Sequence, residues 1–241
     1  MQLGNKGTTL KLTITDCQST RWKVPVESLA SIINEAAFVA FYDLAAVESD
    51  NSMSPLDWSV STLLQAPIRR YDPFRALSEQ GGRLLEECNQ ALAAVGDDVP
   101  LCSEKADAKQ PAVRDCLAKF MSIPGIGPSI AAKTLHKKRP NLIPVIDDFV
   151  STLLIDRRGS TLGADSMSRL IFETIRGQVG ERENAAALSE AASLLTDKRH
   201  LTAVRIFDIA VWTLADEHRD LYGLPRPKKW QPSNLLGAVR I

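Results

Sequence analysis

The sequence predicts a mainly α-helical protein with a small β element at its N-terminus. Two observations carry that expectation. Thr8–Thr15 (TTLKLTIT) alternates apolar and polar residues, the period of a half-buried strand. From Glu27 onward, apolar residues instead recur at spacings of three and four, as on a helix with one buried face.

A second short strand is expected around Trp22-Lys23-Val24. A helix follows over Glu27–Ala46, where Leu29, Ile33, Ala36, Ala40, Phe41 and Leu44 share a stripe. Ser54-Pro55 places a capping residue before a proline, which suits a helix start. Pro67 and Pro73 break the chain, and Leu77–Val95 reads as another helix. The polar stretch 96–110 predicts a loop, with a helix over Ala112–Met121 beyond it. After Asp147 a helix runs to about Leu154. Arg157-Arg158-Gly159-Ser160 is a turn, and helices are expected near 164–178, 181–196 and 200–220. No internal repeat or long low-complexity segment interrupts this order.

With 241 residues, 44% of them hydrophobic, the chain can bury one large core or two small ones. It holds no apolar run long enough to span a membrane, and its first residues lack the core of a signal peptide. A cytoplasmic protein is expected. Cys17, Cys88, Cys102 and Cys116 lack the spacing of zinc or iron–sulfur ligands, and His136, His200 and His218 show no metal-ligand spacing. Reduced, structural thiols are therefore expected. The 29 basic and 29 acidic residues balance to zero, which excludes a polybasic coat but not a local basic face. Cys116–Ile146 contains no acidic residue, yet holds Lys119, Lys133, Lys137, Lys138 and Arg139. Such a stretch suits either cations at a helix C-terminus or a surface for phosphates.

The segment Ile123-Pro124-Gly125-Ile126-Gly127-Pro128-Ser129 reads as a tight turn between two helices. Two glycines allow φ > 0, and Pro128 suits the first position of the next helix. The unpaired N–H groups there, with the helix dipole, suit a phosphate oxygen. Twenty residues after Gly127, Asp147 and Asp148 follow the extended Ile143-Pro144-Val145-Ile146. A carboxylate there serves either as a helix cap or as a catalytic group.

The hairpin and Asp147 together resemble the helix-hairpin-helix DNA glycosylase superfamily over residues 112–155. The resemblance implies a two-lobed helical fold. One lobe would combine 1–58 with 147–241; the other, 59–146, would end in the hairpin at 112–138. Gly125, Ile126 and Gly127 would offer amides to one DNA phosphate, within a DNA-binding surface that includes Pro124, Ser129 and Lys133. The carbonyls of Met121, Ile123 and Ile126 match positions that often hold a monovalent cation or calcium. Asp147 falls at the catalytic aspartate, with Asp148 its rival by one register. Ser129 stands where bifunctional members carry a lysine, so no Schiff base forms by that route. The cysteines of the iron–sulfur branches are also missing, and no cofactor is required. The implied protein is a monomeric, monofunctional glycosylase that flips a damaged or modified base out of duplex DNA. Two alternatives stay open: a non-catalytic DNA-binding protein with the same hairpin, and an interaction module in which the hairpin is only structural.

Arg205, Asp208 and Trp212 share one helical face and either line a base pocket or form a salt bridge beside a half-buried tryptophan. Tyr42, Trp58 and Tyr71-Asp72 are candidates for pocket or wedge residues, with core packing the alternative for each. Arg226-Pro227-Lys228-Lys229-Trp230 is a candidate phosphate contact.

Overall fold

In the computed structural model, residues 10–36, 41–45, 50–64, 82–196, 201–225 and 236–241 are described. Tyr71-Asp72, His200, the start of the 8–15 strand, the 77–81 start of the expected helix and the basic tail 226–230 lie outside them. Strands β1 (Lys11–Thr15) and β2 (Arg21–Pro25) pair antiparallel, and β3 (Val239–Arg240) adds to the free side of β2. The β1–β2 turn is organised by Asp16, whose carboxylate accepts from the amides of Gln18 and Thr20, from Trp22 Nε1 and from Tyr222 Oη. These four donors hold its carboxyl below the ordinary range against the opposing effect of burial.

The outer edge of β1 is closed by side chains. Asn184 exchanges two hydrogen bonds of 2.8 Å with the backbone of Thr13, and Gln178 does the same for Thr15 at 2.8 and 2.9 Å. Two carboxamides thus stand in for a neighbouring strand and hide an edge that would otherwise invite pairing.

The described helices are α1 (Val26–Glu35), α2 (Pro55–Ser59), α3 (Arg83–Val95), α4 (Glu104–Met121), α5 (Pro128–Lys138), α6 (Asp148–Ile155), α7 (Ala164–Arg169), α8 (Arg176–Gly180), α9 (Arg182–Ser193) and α10 (Ala203–Glu217). A six-residue π-helical stretch, Leu170–Ile175, joins α7 to α8, and α2 runs on into a 3-10 turn, Val60–Leu64. The mainly helical expectation and the small N-terminal sheet both hold. Ser54 and Asp57 cap α2 reciprocally, each side chain accepting from the other's amide.

Three boundaries differ from expectation. The helix over 27–46 stops at Glu35, because Ala36 is extended (φ −72°, ψ 109°). Among the described residues, 41–43 are helical again, with Tyr42 buried while Phe41 and Leu44 stay exposed. The expected loop at 96–110 holds only to Ser103: α4 starts at Glu104 and runs through Pro111. Its first turns hold strong helix formers that look loop-like only because most of them face water. Of the two hairpin glycines, only Gly125 has positive φ (83°); Gly127 is extended at φ −88°.

The sheet packs on α9, α3 packs on α4, and α10 lies against α6. One continuous cluster of buried apolar residues runs from Leu12 to Leu236. It joins the segments 10–58 and 147–241 to the segment 59–146. Trp58 belongs to this core, buried against Phe120 with ring centroids 5.0 Å apart.

Candidate active site

The turn after α4 delivers the chain to the N-terminus of α5, and the extended segment after α5 delivers it to α6. Asp147 is the N-cap of α6. Its Oδ1 accepts from the amides of Phe149 (3.0 Å) and Val150 (3.2 Å). Its Oδ2 faces Lys133 Nζ at 3.7 Å. Capping and exposure to the cleft therefore coexist, one oxygen to each. Asp148 also borders the cleft, but its carboxylate is engaged by the Ser160 amide at 2.8 Å.

Asp147 and Lys133 line a cleft of about 530 Å³ that also reaches Ser129, Asp208 and Trp212. Phe149 and Trp212 pack at 5.3 Å between ring centroids along its wall, and the Arg219 guanidinium covers Phe149 at 4.8 Å. Flat aromatic surface beside a carboxylate suits a planar ligand with an electron-poor reacting centre.

Lys133 is expected among the DNA-binding residues, but it is 4% exposed and points inward. Its Nζ donates to the Leu64 carbonyl at 2.9 Å, and its own carbonyl accepts from Tyr42 Oη at 2.6 Å. Burial pushes its ammonium below the ordinary lysine value, while the nearby Asp147 carboxylate pulls it back up. Lys133 lies one helical turn after Ser129 on the same face of α5, and both line the cleft.

Tyr42 does not line the cleft. It is fully buried, with the Arg205 guanidinium 5.2 Å and Lys137 Nζ 5.1 Å from its ring centre. Burial drives its phenol well above the usual value. Arg205 grips Asp43 through Nε and Nη2 (2.9 and 3.0 Å) and Asp208 through Nη1 (2.8 Å). Asp208 in turn accepts from the Val145 amide at 3.0 Å, fixing the strand-like segment that ends at Asp147. Burial pushes the Asp208 carboxyl up, and Arg205 opposes it. Arg205, Asp208 and Trp212 all line the cleft, the first two as a buried ion pair beneath it.

The basic run after the hairpin is not a phosphate-facing surface. Lys138 is 1% exposed and bridges Asp50 and Asp57 at 3.1 and 3.2 Å. Arg139 is buried and donates to the Gly96 carbonyl and Asn51. Lys137 donates to the carbonyls of Tyr42 and Asp43, and Lys119 pairs with Glu87. For Lys119 and Lys138 the acids missing from Cys116–Ile146 are supplied by distant segments.

At the turn itself, Pro124 and Gly125 are exposed and Ile126 is buried. The Ile126 amide bonds the Ile123 carbonyl at 3.0 Å, so it is not offered to a phosphate. Among the described residues, the amides of Gly125 and Gly127 carry no partner. A methyl group added at Gly127 would meet nothing within 4 Å. The Ile126–Ile123 bond also engages one of the three carbonyls that the implied cation would use. That carbonyl keeps a second lone pair, so the bond does not exclude the cation, and no step of the chemistry depends on that ion. Among the described residues, no group of three or more His, Cys, Asp and Glu side chains is placed to hold a metal. No described helix is long and apolar enough to cross a membrane.

The fold and site define a mainly helical protein with a carboxylate–ammonium pair in a cleft behind a glycine-containing hairpin. The chain belongs to a family of unknown function (DUF6308), whose model matches residues 33–215. No curated protein and no solved structure matches it.

Proposed function

We propose that this protein is a monofunctional DNA glycosylase, hydrolysing the bond between deoxyribose and a damaged or modified base held in the cleft. The observation that supports this reading is Asp147. One carboxylate oxygen is locked by the α6 amides, and the other is held in a cleft beside aromatic side chains and near the α5 N-terminus. Cleavage of an N-glycosidic bond builds positive charge on the sugar. A fixed carboxylate stabilises that charge and takes a proton from the attacking water. Phe149 and Trp212 would stack on the extruded base, while the Gly125 and Gly127 amides would hold a phosphate.

Asp147→Asn tests the proposal cleanly, because asparagine caps helices about as well as aspartate. The substrates are duplex oligonucleotides carrying alkylated, oxidised, deaminated or hypermodified bases. The variant should bind them normally and release base at least about 1000-fold more slowly, in line with the loss of a principal electrostatic group. Unchanged release would refute the assignment.

A further inference from the structure

We propose that Lys133 is the general acid of this cleft, protonating the departing base while Asp147 acts on the sugar and water. The inference rests on the glycosylase reading and adds the group that reading leaves unnamed.

The geometry points to it. A neutral base leaves as an anion unless it is protonated as the bond breaks, so hydrolysis needs a proton donor as well as a carboxylate. Lys133 Nζ is the ammonium that lies against Asp147 in the cleft, at 3.7 Å. Among the described residues, three elements face it. The Leu64 carbonyl from the 3-10 turn fixes Nζ, and Asp147 faces it from α6. Arg205 and Asp208 face it from α10, the arginine disfavouring its proton and both aspartates favouring it. Burial loosens the same proton, which brings a lysine nearer the strength at which it donates usefully around neutral pH.

The step balances. The C1′–N bond breaks and its electron pair leaves with the base, which takes a proton from Lys133. Water forms the new C1′–O bond and gives its proton to Asp147. That proton then crosses from Asp147 to the neutral Lys133 amine, restoring the pair. Nothing is oxidised or reduced.

The test uses Lys133→Met, which keeps the length of the chain, and Lys133→Arg, which keeps the charge. Base release is followed against pH from two duplexes, one with a neutral deaminated purine and one with a methylated, positively charged purine that needs no proton to leave. For the neutral base, the unaltered protein should lose activity on the alkaline side as Lys133 deprotonates. Lys133→Met should be slower by about 100-fold or more and should lack that alkaline fall, and Lys133→Arg should recover part of the rate. For the charged base, Lys133→Met should lose far less than for the neutral one, so that the ratio of the two rates changes, and its circular dichroism and melting curve show that it folds. An equal loss on both bases, or an alkaline fall that persists in Lys133→Met, overturns the role of Lys133 alone. Absence of release of any base by the unaltered protein overturns the glycosylase reading and this assignment together.

Discussion

Gly159 touches the backbone of Asp147 so closely that a Cβ at Gly159 would lie 2.7 Å from both the carbonyl carbon and the carbonyl oxygen of Asp147. The turn between α6 and α7 is thus moulded onto the residue at the head of the cleft. Gly159→Ala must push the two segments apart. Overpacking of this kind costs about 1–3 kcal/mol, measurable by urea denaturation. A shift of the carboxylate on the order of 1 Å would slow base release by roughly 100-fold. A variant with unchanged stability and rate would show that this contact does not set the position of Asp147.

Gly127 offers the opposite case. Its extended backbone and the open space around it accept alanine without strain, so Gly127→Ala should stay within about 0.5 kcal/mol of the parent. The added methyl would stand where a phosphate approaches the turn. Affinity for duplexes of unrelated sequence should therefore fall to a similar degree, since backbone contacts carry no base information. Fluorescence anisotropy on two unrelated duplexes checks this, and full affinity in the stable variant would exclude the turn as the grip.

Arg205 satisfies two buried carboxylates at once, and no other residue type reproduces its fork. Arg205→Met would leave Asp43 and Asp208 facing each other unpaired. A loss of about 3–5 kcal/mol is expected, the usual consequence of breaking a buried pair from one side. Arg205→Lys should recover only part of it. Chemical denaturation of both variants reads the difference directly.

His136 predicts a pH dependence of stability. It is 2% exposed, its Nδ1 lies 2.6 Å from the Ile143 carbonyl, and burial pulls its pKa down to about 3 from 6.5. The folded protein holds the ring neutral, whereas the unfolded chain protonates it below pH 6.5. Its contribution is therefore complete above that pH and is lost as pH falls, at about 1.4 kcal/mol per unit. In His136→Asn the amide can still donate to Ile143. The slope of stability between pH 6 and 4 should then be shallower by about that amount, whatever the variant's absolute stability.

Helix and strand order were legible in the residues because periodicity is local. The Ser54-Pro55 start, β2 around Trp22 and the three helices after Asp147 follow from spacing and capping alone. The polar stretch 96–110 misled in the opposite direction, since Glu104–Gln110 are helical and mostly face water. The cleft was half legible. Asp147, Asp208 and Trp212 could be named from spacing and resemblance. The neighbour of Lys133 could not, because its burial depends on Leu64 and Asp147 arriving from either side. Gly159 carried no signal beyond a turn, as its contact is made across the fold. The basic run misled most: Asp50, which pairs with Lys138, and Asn51, which accepts from Arg139, each lie 88 residues earlier in the chain, beyond the reach of any local pattern.

The family match begins at residue 33, after the strand pair whose free edge is closed by Gln178 and Asn184. A fragment cut to the matched boundaries, 33–215, would remove the Thr13 and Thr15 partners of those two carboxamides, leaving Asn184 its bond to the Gln178 carbonyl, and would take away the sheet that covers α9. It would also remove both members of the Asp16–Tyr222 bond. The matched stretch thus leaves out a sheet on which its own α9 packs. That sheet is contributed by the chain's outermost segments.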